Sequence, residues 1–150
     1  MELKKLMVDT KSVWMDFPGL EGFSVEVANL SRKELMALRK KCTSQKFDRR
    51  SRQLEEILDE DKFVKFFTKA SVKNWKGLTV EYTSSLMLIS ADDTNKDDEV
   101  PFSEENAETL VANSTEFDTW LNEVVFDLDN FRTSGEGKMS RKVKETLPES

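Results

Sequence analysis

The sequence contains no histidine. That removes the commonest general base, the usual metal ligand, and the Ser-His and Cys-His nucleophile pairs. It contains one cysteine, Cys42, so no internal disulfide framework is available and a reducing compartment fits. Cys42 falls at core-facing spacing in a predicted helix and reads as a small buried hydrophobe rather than a nucleophile. No apolar run approaches the ~18 residues that a membrane span needs. Lys4 and Lys5 are not followed by an apolar core, so no signal peptide is expected. Positive charge is in deficit, with 23 Lys and Arg against 29 Asp and Glu and a net charge of −6. Without a dominant basic surface to release counterions, nucleic-acid binding is not expected. The cluster Arg49, Arg50 and Arg52 is flanked by Asp48, Glu55 and Glu56 and reads as a solvated arm. With these groups missing, no enzymatic activity is expected, and no cofactor.

What the chain has is length for one core and a supply of aromatics. Its 150 residues include ten phenylalanines and three tryptophans, enough for a single hydrophobic domain. The stretch around which the rest is organised runs from Asp59 to Leu78, DEDKFVKFFTKASVKNWKGL. It reads as one amphipathic helix. Asp59 can cap it, and Glu60 and Asp61 place negative charge at the positive end of the helix dipole. Leu58 and Phe63 have the spacing of a hydrophobic staple. Phe63, Phe66, Phe67 and Ala70 form one apolar stripe. Trp75 is expected in the last turn, with Gly77 ending the helix by taking a positive φ.

Residues 1–28 read as strands. Leu3, Leu6 and Val8 open the chain, and Val13, Trp14, Met15 and Phe17 lead to a Pro18-Gly19 turn signal. Phe23, Val25 and Val27 then alternate with polar residues, the pattern of a half-buried strand. Ser31 begins a helix to about Thr43: Ser31 and Glu34 have capping-box spacing, and Leu30 and Leu35 staple spacing. Residues 44–58 read as a projecting arm or irregular hairpin, with Leu54, Ile57 and Leu58 returning to the body; a helix from Ser51 onward is the competing reading. Leu78, Val80 and Tyr82 alternate as in a short strand. Ser103 can cap a helix through about Val111. A further helix carries Phe117, Trp120, Leu121, Val124, Leu128 and Phe131, an aromatic stripe expected to pack on Phe63 and Phe67. The expected fold is α+β and mostly helical, a small N-terminal antiparallel sheet packed on about four helices. One domain is expected over 1–132 and a flexible charged tail over 133–150.

One pattern resembles a cation site. Asp93, Asn95, Asp97 and Glu104 fall at positions one, three, five and twelve of a calcium-type loop, with Val100 at the eighth. Asp98 replaces the glycine of the sixth position and Pro101 stiffens the ninth, which favours a solvated loop instead. Paired carboxylates such as Glu104 with Glu105, or Asp127 with Asp129, point to different helix faces and do not converge on one substrate atom.

Three stretches together carry a family resemblance. A strand leads into a capped helix, FSVEVANLSRKELMALRKKCT; a helix ends in V-x-x-W-x-G-L at Val72 to Leu78; and an acidic linker leads to PFSEENAETLV and an aromatic helix ending FDLDNF. In these the chain resembles the tail assembly chaperones of long-tailed bacteriophages, over roughly residues 20–131. The resemblance implies a small, mostly helical, non-enzymatic protein of the host cytoplasm. Its implied partners are the tape measure protein, which it coats and keeps soluble, and tail tube subunits. A frameshifted longer form and self-association are also implied as possibilities. Independently of the family, an acidic domain rich in aromatic stripes suits a holdase presenting an apolar groove to a helix. The candidate partner contacts are Phe63, Phe66, Phe67, Trp75, Phe117 and Trp120, with burial in the core the default for each. The competing functions are a structural head or tail completion protein of the virion and a calcium-responsive interaction module.

Overall fold

A computed structural model describes residues 2–7 and 11–132. The expected tail over 133–150, and Val8, lie outside the described residues. The fold is α+β. Strand β1 (Ser12–Asp16) pairs antiparallel with β2 (Ser24–Ala28), and β2 pairs antiparallel with β5 (Val72–Lys76), giving the order β1-β2-β5. Around this sheet lie α1 (Arg32–Cys42), α2 (Glu60–Ser71), α3 (Val80–Leu86), α4 (Glu104–Asn113) and α5 (Thr115–Val125). A separate two-stranded hairpin joins β3 (Thr43–Asp48) to β4 (Gln53–Leu58). Among the described residues no helix is long and apolar enough to cross a membrane.

Local chemistry accounts for most of the boundaries. Ser31 and Glu34 form the full capping box of α1, each side chain bonding the other's backbone N–H. Asp59 accepts the Lys62 N–H at 3.1 Å and starts α2. Ser103 caps α4, and Ser114 both ends α4 and caps α5, so the two helices meet at one buried residue. The opening residues depart from expectation. Leu3–Leu6 is a single 3-10 turn with exposed leucines, so the first strand begins at Ser12.

The predicted long helix from Asp59 is cut at Ser71. The residues that follow bond to the open edge of β2, because that edge offers unpaired backbone groups. Glu26 faces Asn74 and Val27 faces Val72, leaving Lys73 as a bulge. The bulge shifts the alternation by one residue, so Val72 and Trp75 are both buried while Lys73, Asn74 and Lys76 are exposed. Two apolar residues three apart mimic a helical stripe on what is a bulged strand. Trp75 is therefore a strand residue, and Gly77 (φ +79°) ends a strand rather than a helix. A Cβ on Gly77 would overlap the carbonyl of Gly22, so the chain crosses there only because no side chain is present.

Leu78 to Tyr82 also departs from its predicted strand. Thr79 caps α3 by accepting the Tyr82 N–H at 3.1 Å. The arm at 44–58 is a regular hairpin, with Thr43 opposite Leu58 and Asp48 opposite Gln53; the competing helix from Ser51 does not form. Leu54, Ile57 and Leu58 do not return to the body but remain exposed, and Phe47 with them.

The core lies between the sheet and α5. Phe117, Leu121 and Val125 are fully buried against Phe23, Val25 and Val27. The aromatic stripe of α5 meets Phe17 and Phe23, with Phe17 centred 5.9 Å from Phe117 and 5.0 Å from Trp120. The expected partner, the Phe63/Phe67 stripe, touches this region through Phe126, 6.2 Å from Phe67. The helix also stops at Val125: Leu128 is exposed, and a 3-10 turn (Leu128–Asn130) brings Phe131 back into the core.

Candidate protein-binding groove

Helices α2 and α4 pack side by side and leave a groove between them of about 240 Å³. Its floor and ends carry Phe66, Val72, Phe102 and Ala107. Lys65 and Lys69 stand one turn apart on α2, and Lys73 continues their row. The Lys73 ammonium donates to the Lys69 carbonyl at 3.2 Å, which holds it in line. Glu104 and Glu108 stand one turn apart on α4 and form the opposite rim. Among the described residues neither rim forms an ion pair with the other. The groove thus has an apolar floor between a basic and an acidic edge.

Thr68 lines the same groove and is 2% exposed. Among the described residues its hydroxyl has no hydrogen-bond partner. The contrast lies one turn on in the same helix, where Ser71 donates to the Phe67 carbonyl at 2.6 Å. A buried hydroxyl left unsatisfied costs about 1–3 kcal/mol, a cost carried by the fold itself.

Four of the six predicted partner contacts are core residues. Phe67 (3%), Trp75 (5%), Phe117 (0%) and Trp120 (8%) are buried, and contact through them would require the core to open. Trp75 is held by its indole N–H, which donates to the Val100 carbonyl at 2.9 Å, and by Phe102 in a T-shaped contact at 5.3 Å. Phe63 and Phe66 are half-buried. Phe63 lies under the Arg39 guanidinium at 5.8 Å. Phe66 lies under the ammonium groups of Lys41 and Lys62, at 5.5 and 5.9 Å, and closes one end of the groove. Sequence reasoning found Phe66 and missed Thr68, Phe102 and both rims. The rims were visible as Lys65, Lys69, Lys73 and Glu104, Glu108, each at steps of four, but nothing local says that the two rows face each other.

The acidic loop is organised for a different task. The Asn95 side chain accepts the Asp97 N–H at 2.9 Å, an Asx turn. The carbonyls of Lys96 and Asp98 accept the N–H groups of Glu81 and Val80 in the first turn of α3. Val100 donates to the Leu78 carbonyl at 2.7 Å. Glu104 is carried away onto the rim of the groove. Among the described residues no three acidic or cysteine groups gather where they could hold a metal ion, so Asp93, Asn95, Asp97 and Glu104 do not converge as a calcium-type loop requires. The loop acts as a clasp on α3.

A second apolar surface lies on the β3–β4 hairpin. Phe47 (57% exposed) and Leu54 (66% exposed) are opposite each other on one face, with Leu58 further down the same face and Ile57 on the other. Arg49, Arg50 and Arg52 form its tip, where Arg52 takes a positive φ of 55°. The Asp48 carboxylate accepts the Arg50 N–H at 2.9 Å, which holds its carboxyl below the usual aspartate value. Comparison with family models, with curated proteins and with solved structures finds no match for this chain.

Proposed function

We propose that this chain is a non-enzymatic assembly chaperone of the long-tailed phage type, working in the host cytoplasm. In this reading it binds the tape measure protein, keeps it soluble and helps to recruit tail tube subunits. The observation that carries it is the α2–α4 groove, an apolar floor between charged edges. A tape measure protein is a long helical rod, and helices dock into grooves of this kind by their apolar seam. The surplus negative charge of the chain supports the same reading, because a loaded complex with net charge stays soluble.

The test is co-expression with the tape measure protein of the same genome, followed by pull-down and size-exclusion chromatography. A soluble complex carrying many copies of this chain is the expected result. An insoluble tape measure protein beside a free monomer overturns the reading. Phe66→Ser is the companion variant, since Phe66 closes the groove without belonging to the buried core; unchanged binding by the folded variant removes Phe66 from the contact. A second reading is a permanent virion component, favoured by the exposed Phe47 and Leu54 of the hairpin. Purified virions separate the two, since a chaperone is absent from them and a structural part is present.

A further inference from the structure

We propose that the α2–α4 groove is the seat of a partner α-helix of defined charge polarity. That helix has a narrow apolar seam with acidic residues along one flank and basic residues along the other. The inference rests on the binding role proposed above and names the chemistry of the partner.

Charge complementarity carries the argument. Lys65, Lys69 and Lys73 require negative charge on one side of the occupant, and Glu104 and Glu108 require positive charge on the other. A partner of one sign would lose at one edge what it gains at the other. The two rows do not neutralise each other across the groove, so both are free to act on an occupant. The volume of about 240 Å³ falls below the ~300–1,000 Å³ of a small-molecule pocket. It suits a few side chains of a seam laid along α2 and α4. Turning a helix end for end exchanges its flanks, so the two rims also decide which way the partner runs.

The probe is a synthetic helical peptide of about five turns with a leucine and alanine seam, glutamates on one flank and lysines on the other. Two control peptides keep the seam and carry glutamate on both flanks or lysine on both. Binding to the full chain is followed by fluorescence anisotropy at physiological salt, with amide shifts to locate the contact. The mixed peptide should bind tightest, with each rim charge contributing about two- to fivefold in Kd. Glu104→Lys combined with Glu108→Lys makes both rims basic and should reverse the preference toward the all-glutamate peptide. Thr68→Val removes an unsatisfied buried hydroxyl and should raise the unfolding temperature of the free protein while leaving the peptide ranking unchanged.

An unchanged ranking in the double variant, a wild-type preference for a single-sign peptide, or shifts confined to the hairpin overturns the proposal. Co-expression of the double variant with the tape measure protein separates this inference from the chaperone reading. If the peptide ranking holds but the tape measure protein stays insoluble even with wild type, the groove stands and the chaperone reading falls. If wild type and the double variant solubilise it equally, the groove is not its seat.

Discussion

Gly77 shows how much a single missing side chain decides. Its positive φ and its approach to the Gly22 carbonyl set the crossing between the end of β5 and the turn before β2. Gly77→Ala should cost at least about 3 kcal/mol, combining left-handed backbone strain with overpacking against backbone. Gly19 has a similar φ with open space around it, and Gly19→Ala should cost only about 1–2 kcal/mol. Urea unfolding of both variants checks the difference; equal costs would show that the close approach does not matter. The aromatics divide the same way. Phe117→Ala removes a fully buried ring that contacts Phe17, Phe23 and Trp120 and should cost about 3–5 kcal/mol. Phe66→Ser, at a half-buried site, should cost about 1 kcal/mol and leave the fold intact. Thermal melts followed by circular dichroism distinguish them.

At the scale of elements, the starts of α1, α2, α4 and α5 follow from residue type, while the start of α3 and the strand partners do not. Ser31, Asp59, Ser103 and Ser114 each do what their residue type does before a helix. The hairpin is different in kind, because its side chains are largely exposed and an isolated two-stranded ribbon is marginal in water. Its tip depends on the Asp48 carboxylate accepting the Arg50 N–H. The folded-state pKa of Asp48 is lowered, so its contribution is complete above the unfolded value and is lost as pH falls through the folded one. Protection of the Arg50 amide against exchange, relative to its intrinsic rate, should therefore fall on the acid side of the ordinary aspartate range. Asp48→Asn should remove that pH dependence, and an unaltered profile in the variant would assign it to another group.

At the scale of the whole molecule, a continuous core joins sheet, α2, α4 and α5. Trp75 and Trp120 are both buried in it, one on β5 and one on α5. Tryptophan fluorescence and far-ultraviolet circular dichroism should report one coincident unfolding transition, as cooperative single domains do. Separate midpoints would mean that α5 and the sheet unfold as independent units. The hairpin stands outside this core, and replacing residues 44–57 by a short glycine-serine link should move the transition little.

Much of the architecture was legible in the chain. Capping residues, the alternation of Phe23, Val25 and Val27, and the stripe of α5 are local signals, and they determined where most helices begin, where β2 runs and that the fold is α+β. The alternation suggested a half-buried strand, but β2 lies between β1 and β5 and is buried at all its positions except Glu26. The misreadings share one cause. Val72 and Trp75 look helical because they are three residues apart, and only the open edge of β2 and a bulge at Lys73 convert that spacing to a strand. Thr79 could cap a helix or continue a strand; the carbonyls of Lys96 and Asp98, far along the chain, decide it. The groove belongs to the same class. The acidic row is written on α4 and the basic row on α2 and the bulge of β5 that follows it, but their facing each other depends on how α2 and α4 pack, and packing is set by contacts between residues distant in sequence.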